Sequence, residues 1–263
     1  MHSVCRYIKV GSGEFGDVLY GRLISTGQLI AIKALKKGKT DKYALIQEAF
    51  MFQLANETAY VPRYQGLAPI KLLGEKYLEW GLICEFVGEA NIPQPYDFRL
   101  TLKAAQKEMC TIELALQWIF TCARIVHAVK EFHKMGMLIN DIKADNILLK
   151  PLGNGYHPIF IDFGLASIGE GITLALEVTD SNRAKILKEY SHIAPEVLFG
   201  GETNVNSDIF SLGKALSLVS DAFPIAAFKA IVSRCTLWNV SERPSIDELL
   251  DGFQWVADSI VQR

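Results

Sequence analysis

Three polar side chains that could do chemistry together lie within six positions of an apolar-flanked loop, from Ile139 to Leu149. They are Asp141, Lys143 and Asn146, which supply a carboxylate, an amine and a carboxamide. If a strand beginning at Ile147 holds the loop, all three side chains can face one reaction centre. Asp141 would then accept a proton from a hydroxyl group, Lys143 would contact a phosphate oxygen, and Asn146 would bind a divalent cation. A plain polar loop between a helix and a strand can contain the same residues, so the neighbouring segments must show which of the two this loop is.

A second acidic group ends an apolar run further along the chain. Residues 159–161 are Ile-Phe-Ile, and Asp162 follows them directly before Phe163 and Gly164. A carboxylate at the end of a strand can bind Mg²⁺, a hard cation that prefers oxygen ligands. Such a turn could also simply end a hairpin. Because a base and a carboxamide lie upstream, the order of the residues favours one phosphoryl-transfer site.

A lysine interrupts the apolar run 29–35, which has the composition of a strand. Lysine is rarely buried without a partner. Glu48 can supply that partner, because it lies in the middle of a helix predicted to run through Leu45 and Ala55. A Lys33–Glu48 ion pair would hold the amine against the phosphates of a nucleotide. The alternative is a lysine that extends from an edge strand towards solvent, with the glutamate on a solvated helix face.

Glycines separate two strand-like runs near the start of the chain, residues 7–10 and 18–21. Gly11, Gly13 and Gly16 predict a hairpin whose backbone N–H groups can approach phosphate oxygens, because no Cβ stands in the way. The dinucleotide-binding fingerprint has the same glycine spacing, but a helix must follow it directly, whereas here a strand-like run follows. A simple hairpin turn is the remaining alternative.

The chain changes character near residue 88. Before it the sequence is rich in strands with one helix; after the turn-rich stretch 88–95 it is mainly helical, with helices predicted at 101–109 and 112–134. A chain of 263 residues is long enough for one domain of two lobes. The predicted fold class is therefore α+β, with a β-rich N-lobe at 1–87, a hinge at 85–95 and a mainly helical C-lobe at 96–263.

Composition limits the classes of partner and compartment. A net charge of −2 gives no electrostatic reason to expect nucleic acid or an anionic membrane surface. The five cysteines are scattered without a C-x-x-C pair, which favours reduced thiols over zinc or redox chemistry. Residues 1–6 lack the features of a signal peptide, and polar residues interrupt the apolar run 112–129. We therefore expect a cytoplasmic protein without membrane insertion.

In order and spacing, these motifs resemble those of the eukaryotic protein kinase family, from about Tyr7 to Phe253. The matching residues are Gly11, Gly13, Gly16 and Val18 of the glycine-rich loop, Ala31-Ile32-Lys33 with Glu48, the catalytic-loop residues Asp141, Lys143 and Asn146, Asp162-Phe163-Gly164, and Ala194-Pro195-Glu196. The resemblance implies a bilobal kinase domain, 1–263, that binds ATP and Mg²⁺ in a cleft.

The same resemblance implies a role for each matching residue. The nucleotide-contacting residues would be Val10, Gly11, Gly13, Gly16, Val18, Ala31, Lys33, Glu85, Val87 and Leu148. The catalytic residues would be Asp141, Lys143, Lys33 and Glu48, and the metal ligands Asn146 and Asp162. Two further residues would be architectural: Asp208 would anchor the backbone of the catalytic loop, and Glu196 would pair with Arg243.

Two departures from the family pattern shape the expected function. The family's H-R-D is Ile139-Asn140-Asp141 here, so the arginine that receives a phosphorylated activation loop is absent. We therefore expect activity without phosphorylation of that segment. Lys143 is typical of serine/threonine kinases, although the threonine expected before Ala194 is missing from residues 188–192.

The leading hypothesis is an ATP- and Mg²⁺-dependent kinase that phosphorylates Ser and Thr hydroxyls of protein substrates. Two alternatives remain open. Ile139-Asn140 leaves room for a nucleotide-binding scaffold with weak or vestigial chemistry, and the short region after Val219 for a kinase that acts on a small molecule. The sequence predicts no particular oligomeric state.

Overall fold

The computed structural model describes residues 4–12, 16–35, 42–70, 79–89, 91–109, 111–174 and 176–262. The chain divides into two compact units. The first unit contains Met1–Tyr96 and Ile159–Gly164, and the second contains Asp97–Pro158 and Leu165–Arg263. The short segment that carries Asp162 therefore packs with the N-terminal strands, although it follows the last of them by more than seventy positions.

The first unit contains a five-stranded antiparallel sheet and one helix. Its strands are β1 (Val4–Ser12), β2 (Gly16–Leu23), β3 (Leu29–Leu35), β4 (Tyr64–Ile70) and β5 (Glu79–Glu85), in the order β1-β2-β3-β5-β4, and its helix is α1 (Lys42–Ala55). The sheet has the strand content expected of the N-lobe, and α1 includes the predicted Glu48.

Alternation along the central strands sorts the side chains onto two faces, because neighbouring residues of a strand point to opposite sides. One face forms the core, with Leu19, Leu23, Ile30, Ile32, Ala34, Ile70 and Ile83 buried. On the other face, Val18 pairs directly with Lys33, and Ala31 pairs with Cys84. Val18, Ala31 and Lys33 are only partly buried. Three residues expected to contact a nucleotide therefore share one accessible face.

The second unit is mainly helical. Its helices are α2 (Phe98–Ala105), α3 (Ile112–Lys134), α4 (Arg183–Glu189), α5 (Pro195–Leu198), α6 (Val205–Ala222), α7 (Ala226–Arg234) and α8 (Ile246–Val261). Short strands form two pairs, β6 (Met137–Leu138) with β9 (Ser167–Ile168), and β7 (Ile147–Leu152) with β8 (Gly155–Phe160). The β6 and β7 strands flank the loop that carries Asp141.

The side chains that cap α2 and α3 explain where these two helices begin. Helix α3 begins where predicted, because the Thr111 side chain accepts the Leu114 N–H at 3.1 Å. Helix α2 begins at Phe98, three residues before the predicted start, because the Asp97 carboxylate accepts the Leu100 N–H at 2.8 Å. It ends at Ala105 and not at residue 109, so the sequence placed this helix too late in the chain.

Among the described residues, α3 is the one helix with the length and mean hydropathy, 1.3, that could cross a membrane. Half of that segment is buried in the structure. Its side chains Trp118, Cys122, Ile125 and Phe132 have essentially no exposed surface. Core helices and membrane spans share this length and composition, and packing inside the second unit accounts for the apolar content of α3.

The fold class predicted from the sequence is confirmed. The protein is α+β and bilobal, with one unit built on a sheet that carries one main helix and the other mainly helical.

Candidate functional site

Asp141 is in direct contact with both Lys143 and Asn146 of the 139–149 stretch. Oδ2 of Asp141 accepts hydrogen bonds from Lys143 Nζ at 2.7 Å and from Asn146 Nδ2 at 2.9 Å. The Asn146 amide also donates to the Asp141 carbonyl oxygen at 3.0 Å. A short 3₁₀ turn, Ala144–Asn146, brings the carboxamide back over the carboxylate. The loop therefore presents one carboxylate held by an amine and an amide.

A fourth side chain, for which the sequence predicts no role, also reaches this carboxylate. His192 Nε2 lies 3.0 Å from Oδ1 of Asp141, although 51 positions separate the two residues. An ionised carboxylate only accepts, so the imidazole must donate through an Nε2–H. Burial by itself raises the pKa of Asp141, but the hydrogen bonds from His192 and Lys143 outweigh it and hold that pKa below its ordinary value. Asp141 is therefore an anion at neutral pH.

Asp208 holds the backbone that leads into this loop. Its buried carboxylate accepts the N–H of Ile139 at 2.9 Å and the N–H of Asn140 at 2.8 Å. His133 Nε2 contacts it at 2.8 Å. These bonds hold Asn140 at a φ of 63°, a left-handed conformation that asparagine tolerates better than most residues. The anchoring contact implied for Asp208 is present.

The other architectural pair is present as well. The Arg243 guanidinium donates to Glu196 through two nitrogens, at 2.6 and 2.8 Å. The Arg243 side chain is fully buried and also donates to the carbonyls of Leu237 and Asn206. A planar guanidinium suits this two-point contact with a carboxylate. The pair ties α5 to the turn before α8.

The Asn140 side chain links the catalytic loop to the segment that follows Gly164. Its amide nitrogen donates to the Leu165 carbonyl at 2.8 Å and to Ser167 Oγ at 3.1 Å. Strands β6 and β9 pair beside it, with Leu138 opposite Ser167. Asn140 is 4% exposed, so its side chain points into the protein. A neutral, buried amide therefore directly precedes Asp141.

The first unit carries a separate charged cluster. Lys33 Nζ lies 2.7 Å from Oε1 of Glu48 and 3.2 Å from Oδ1 of Asp162. The ion pair predicted between Lys33 and Glu48 is therefore present, and Asp162 joins it. Gly164 donates its N–H to the same Asp162 oxygen at 3.0 Å, and the Phe163 ring packs edge-on against Phe52 of α1.

The crowding of two carboxylates and one amine in this cluster changes the pKa values of Glu48 and Lys33. Burial raises the pKa of Glu48 to about 7, and the neighbouring Lys33 opposes that rise without cancelling it. Burial alone would lower the pKa of Lys33, but the charges of Glu48 and Asp162 raise it above its ordinary value. Lys33 is therefore a stable cation that can meet phosphate oxygens.

The remaining residues expected to contact a nucleotide lie in both units. Val10 and Gly11 are in β1, with Gly11 opposite Val18 of β2. Gly16 begins β2, where a Cβ would collide with the Ala34 carbonyl, so only glycine fits. Gly13 lies outside the described residues. Leu148 is buried in β7 of the second unit and bridges to Asp97.

The predicted hinge has a defined backbone. Glu85 donates its N–H to the Arg63 carbonyl at 2.9 Å, and the Val87 carbonyl accepts the Tyr96 N–H at 3.3 Å. No described residue accepts the Val87 N–H. That donor is available to a ligand.

Each of the two predicted metal ligands keeps one side-chain oxygen available for a metal ion. Both amide hydrogens of Asn146 are used on Asp141, which leaves its carboxamide oxygen as the ligating atom. Asp162 engages Lys33 and Gly164 through Oδ1, which leaves Oδ2. In the described part of the chain, no group of three or more His, Cys, Asp or Glu residues forms a metal site. Mg²⁺ typically binds one or two protein oxygens together with phosphates and water, so each of these oxygens is of the kind that it prefers.

Comparison with known proteins shows that the chain is similar to protein kinases. Residues 6–227 match the family described as "Protein kinase domain". The chain is 31% identical over 211 residues to cysteine-rich receptor-like protein kinase 25 of Arabidopsis thaliana, across 78% of this chain and 27% of that protein. It is 27% identical over 212 residues to the Arabidopsis serine/threonine-protein kinase PBL27, across 78% of this chain and 36% of that protein.

A third Arabidopsis protein, serine/threonine-protein kinase PBS1, is 27% identical over 205 residues, across 78% of this chain and 41% of that protein. The chain thus spans well under half the length of these relatives.

Proposed function

The chain belongs to the protein kinase family, and from that premise we propose that it transfers the γ-phosphoryl group of ATP to Ser and Thr hydroxyls of protein substrates. The observation that carries this proposal is the geometry around Asp141. Lys143 and Asn146 both lie within hydrogen-bonding distance of its carboxylate, which is the arrangement a phosphoryl-transfer base requires. The names of PBL27 and PBS1 and the presence of Lys143 favour Ser/Thr acceptors.

In the proposed reaction the acceptor oxygen forms a bond to the γ-phosphorus while the bond from that phosphorus to its bridging oxygen breaks, so ADP leaves. The hydroxyl proton moves to Asp141. Lys143, 2.7 Å from Asp141, stabilises the charge on the moving phosphoryl group. Lys33, held by Glu48, binds the α- and β-phosphates, and the Val87 N–H binds the adenine.

The proposed metal is Mg²⁺, held by the carboxamide oxygen of Asn146 and a carboxylate oxygen of Asp162. When bound, it supplies charge neutralisation on the phosphates. Asp162 has a role without the metal as well, because its Oδ1 helps to hold Lys33 as a cation.

We further propose that this kinase needs no phosphorylation between Ser167 and Ser191. Asn140 is neutral and buried, so it cannot receive a phosphate on that segment. Its amide already binds Leu165 and Ser167, which orders the start of the segment through contacts within the chain. Phosphatase-treated and untreated protein should therefore transfer phosphate at the same rate; recovery of activity only after phosphorylation in this segment would contradict the idea.

The principal test combines γ-labelled ATP, Mg²⁺ and dephosphorylated casein, followed by identification of the labelled residue. We expect label on Ser or Thr, and Asp141→Asn should lower the rate by about 10²- to 10⁴-fold. The matched control is Asp221→Asn, a solvent-exposed carboxylate of α6, which should keep the wild-type rate. Nucleotide binding without transfer would favour the scaffold alternative, and label appearing only on an added metabolite would favour a small-molecule acceptor.

A further inference from the structure

The Asp141 carboxylate already accepts three of the about four hydrogen bonds that it can accept. An ionised carboxylate offers about four acceptor sites, two on each oxygen. Oδ2 accepts from Lys143 and from Asn146, and Oδ1 accepts from His192. Among the described residues no fourth donor lies within hydrogen-bonding distance of this carboxylate. One site on Oδ1 is therefore left for the acceptor hydroxyl.

Packing holds His192 in place for this contact. The next two residues, Ile193 and Ala194, are buried in a cluster with Val197, Leu198 and Phe210. The Ile193 N–H also donates to the Tyr190 carbonyl at 2.9 Å. The backbone on the C-terminal side of the imidazole is therefore anchored in the core, and the ring is presented from a fixed position.

Two of the side chains that donate to Asp141 also share a cavity. His192 and Lys143 both line one cavity of about 490 Å³ in the second unit. The His192 side chain is 22% exposed, whereas that of Asp141 is 14% exposed. One donor to each oxygen of the carboxylate, Lys143 to Oδ2 and His192 to Oδ1, thus faces this cavity.

We infer that His192 is a positioning residue for phosphoryl transfer: its Nε2–H holds Oδ1 of Asp141 so that a single acceptor site faces the incoming hydroxyl. This inference rests on the proposed function and describes how that site orients its acceptor. It also assigns a task to the segment before α5, which is coupled to the catalytic carboxylate by a side chain of its own.

Two substitutions separate this role from mere packing. His192→Phe keeps a ring of similar shape and removes the donor, whereas His192→Gln places an N–H donor close to the Nε2 position. With casein as acceptor, His192→Phe should lower kcat between about 10- and 100-fold with little change in the KM for ATP, and His192→Gln should recover most of the loss. The matched control is His127→Phe on the exposed side of α3, which should keep the wild-type kcat.

Three results would overturn the inference. An unchanged kcat in His192→Phe would show that the contact is irrelevant. Equal losses in both variants would show that an N–H donor at this position does not restore the rate, so the hydrogen bond to Asp141 is not what the reaction needs. A faster His192→Phe enzyme would show that the ring blocks the acceptor.

A readout independent of turnover is the ¹⁵N spectrum of the imidazole, assigned with His192→Gln. We expect a protonated, hydrogen-bonded Nε2 whose signal moves in Asp141→Asn. An active wild type whose rate ignores His192→Phe refutes this inference alone. A wild type that transfers no phosphate, although the spectrum shows the hydrogen bond, refutes the proposed function and the acceptor role of His192 together.

Discussion

Replacing Asp208 by asparagine tests how the catalytic loop is held. Asp208 is completely buried, and its two oxygens accept three hydrogen bonds. Oδ2 receives the Ile139 N–H and the His133 ring, and Oδ1 receives the Asn140 N–H. An asparagine has one carbonyl oxygen, so its amide group must face at least one of these donors.

The cost follows from the bonds that are lost. A hydrogen bond to a charged group contributes about 1.5–3 kcal/mol, and a buried donor without a partner costs about 1–3 kcal/mol. Because these contributions overlap at one site, we expect Asp208→Asn to lower the free energy of unfolding by about 3 kcal/mol. For a unit of this size, that corresponds to a fall in Tm of roughly 6–12 °C.

The assay is urea and thermal unfolding followed by far-UV circular dichroism, with hydrogen exchange at the amides of Ile139 and Asn140. Both amides should exchange faster in the variant. Asp221→Asn on the same helix removes an exposed partner of Lys229 and should cost less than about 1 kcal/mol. If Asp208→Asn is as stable as Asp221→Asn, or if the two amides stay protected, the anchoring argument is wrong.

Three further predictions concern other buried contacts. Burial raises the pKa of Glu48 from 4.5 to about 7, so protonation of this carboxyl contributes stability that is complete below pH 4.5 and is lost as the pH rises through 7. The free energy of unfolding should fall by roughly 3 kcal/mol over this range, which unfolding of wild type and Glu48→Gln between pH 5 and 8 can measure. Gly213→Ala pushes a methyl group into Cys235 and should cost about 1–3 kcal/mol in urea unfolding. Arg243→Lys loses the two-point contact with Glu196 and should cost about 2–4 kcal/mol in the same assay.

Each of these has a matched comparison. The Glu48→Gln protein should lack the extra decline of the wild type, and parallel pH curves would contradict the assigned shift. Gly153→Ala adds a methyl group where no atom lies within 4 Å and should be neutral. Arg99→Lys breaks a similar pair with Asp145 on the surface and should cost less than Arg243→Lys, unless burial is unimportant.

Much of the site could be predicted because the residues that contact one another lie close together in the sequence. Asp141, Lys143 and Asn146 lie within six positions, so one loop and one 3₁₀ turn suffice to join them. The Lys33–Glu48 pair spans 15 positions and follows from the need of a lysine in an apolar strand for an anionic partner. Helix α2 was misplaced because the capping role of Asp97 outweighs the apolar pattern that suggested a later start.

By itself, the sequence determined the fold class, the family and the chemical groups of the site, because hydrophobic periodicity and motif spacing are local properties. Only the tertiary structure decided that His192 meets Asp141, that Asn140 binds Leu165 and Ser167, and that Asp162 joins Lys33. These contacts join residues 25 to 129 positions apart. They form because packing in the core brings distant segments of the chain together, and a local sequence pattern does not show which segments will meet.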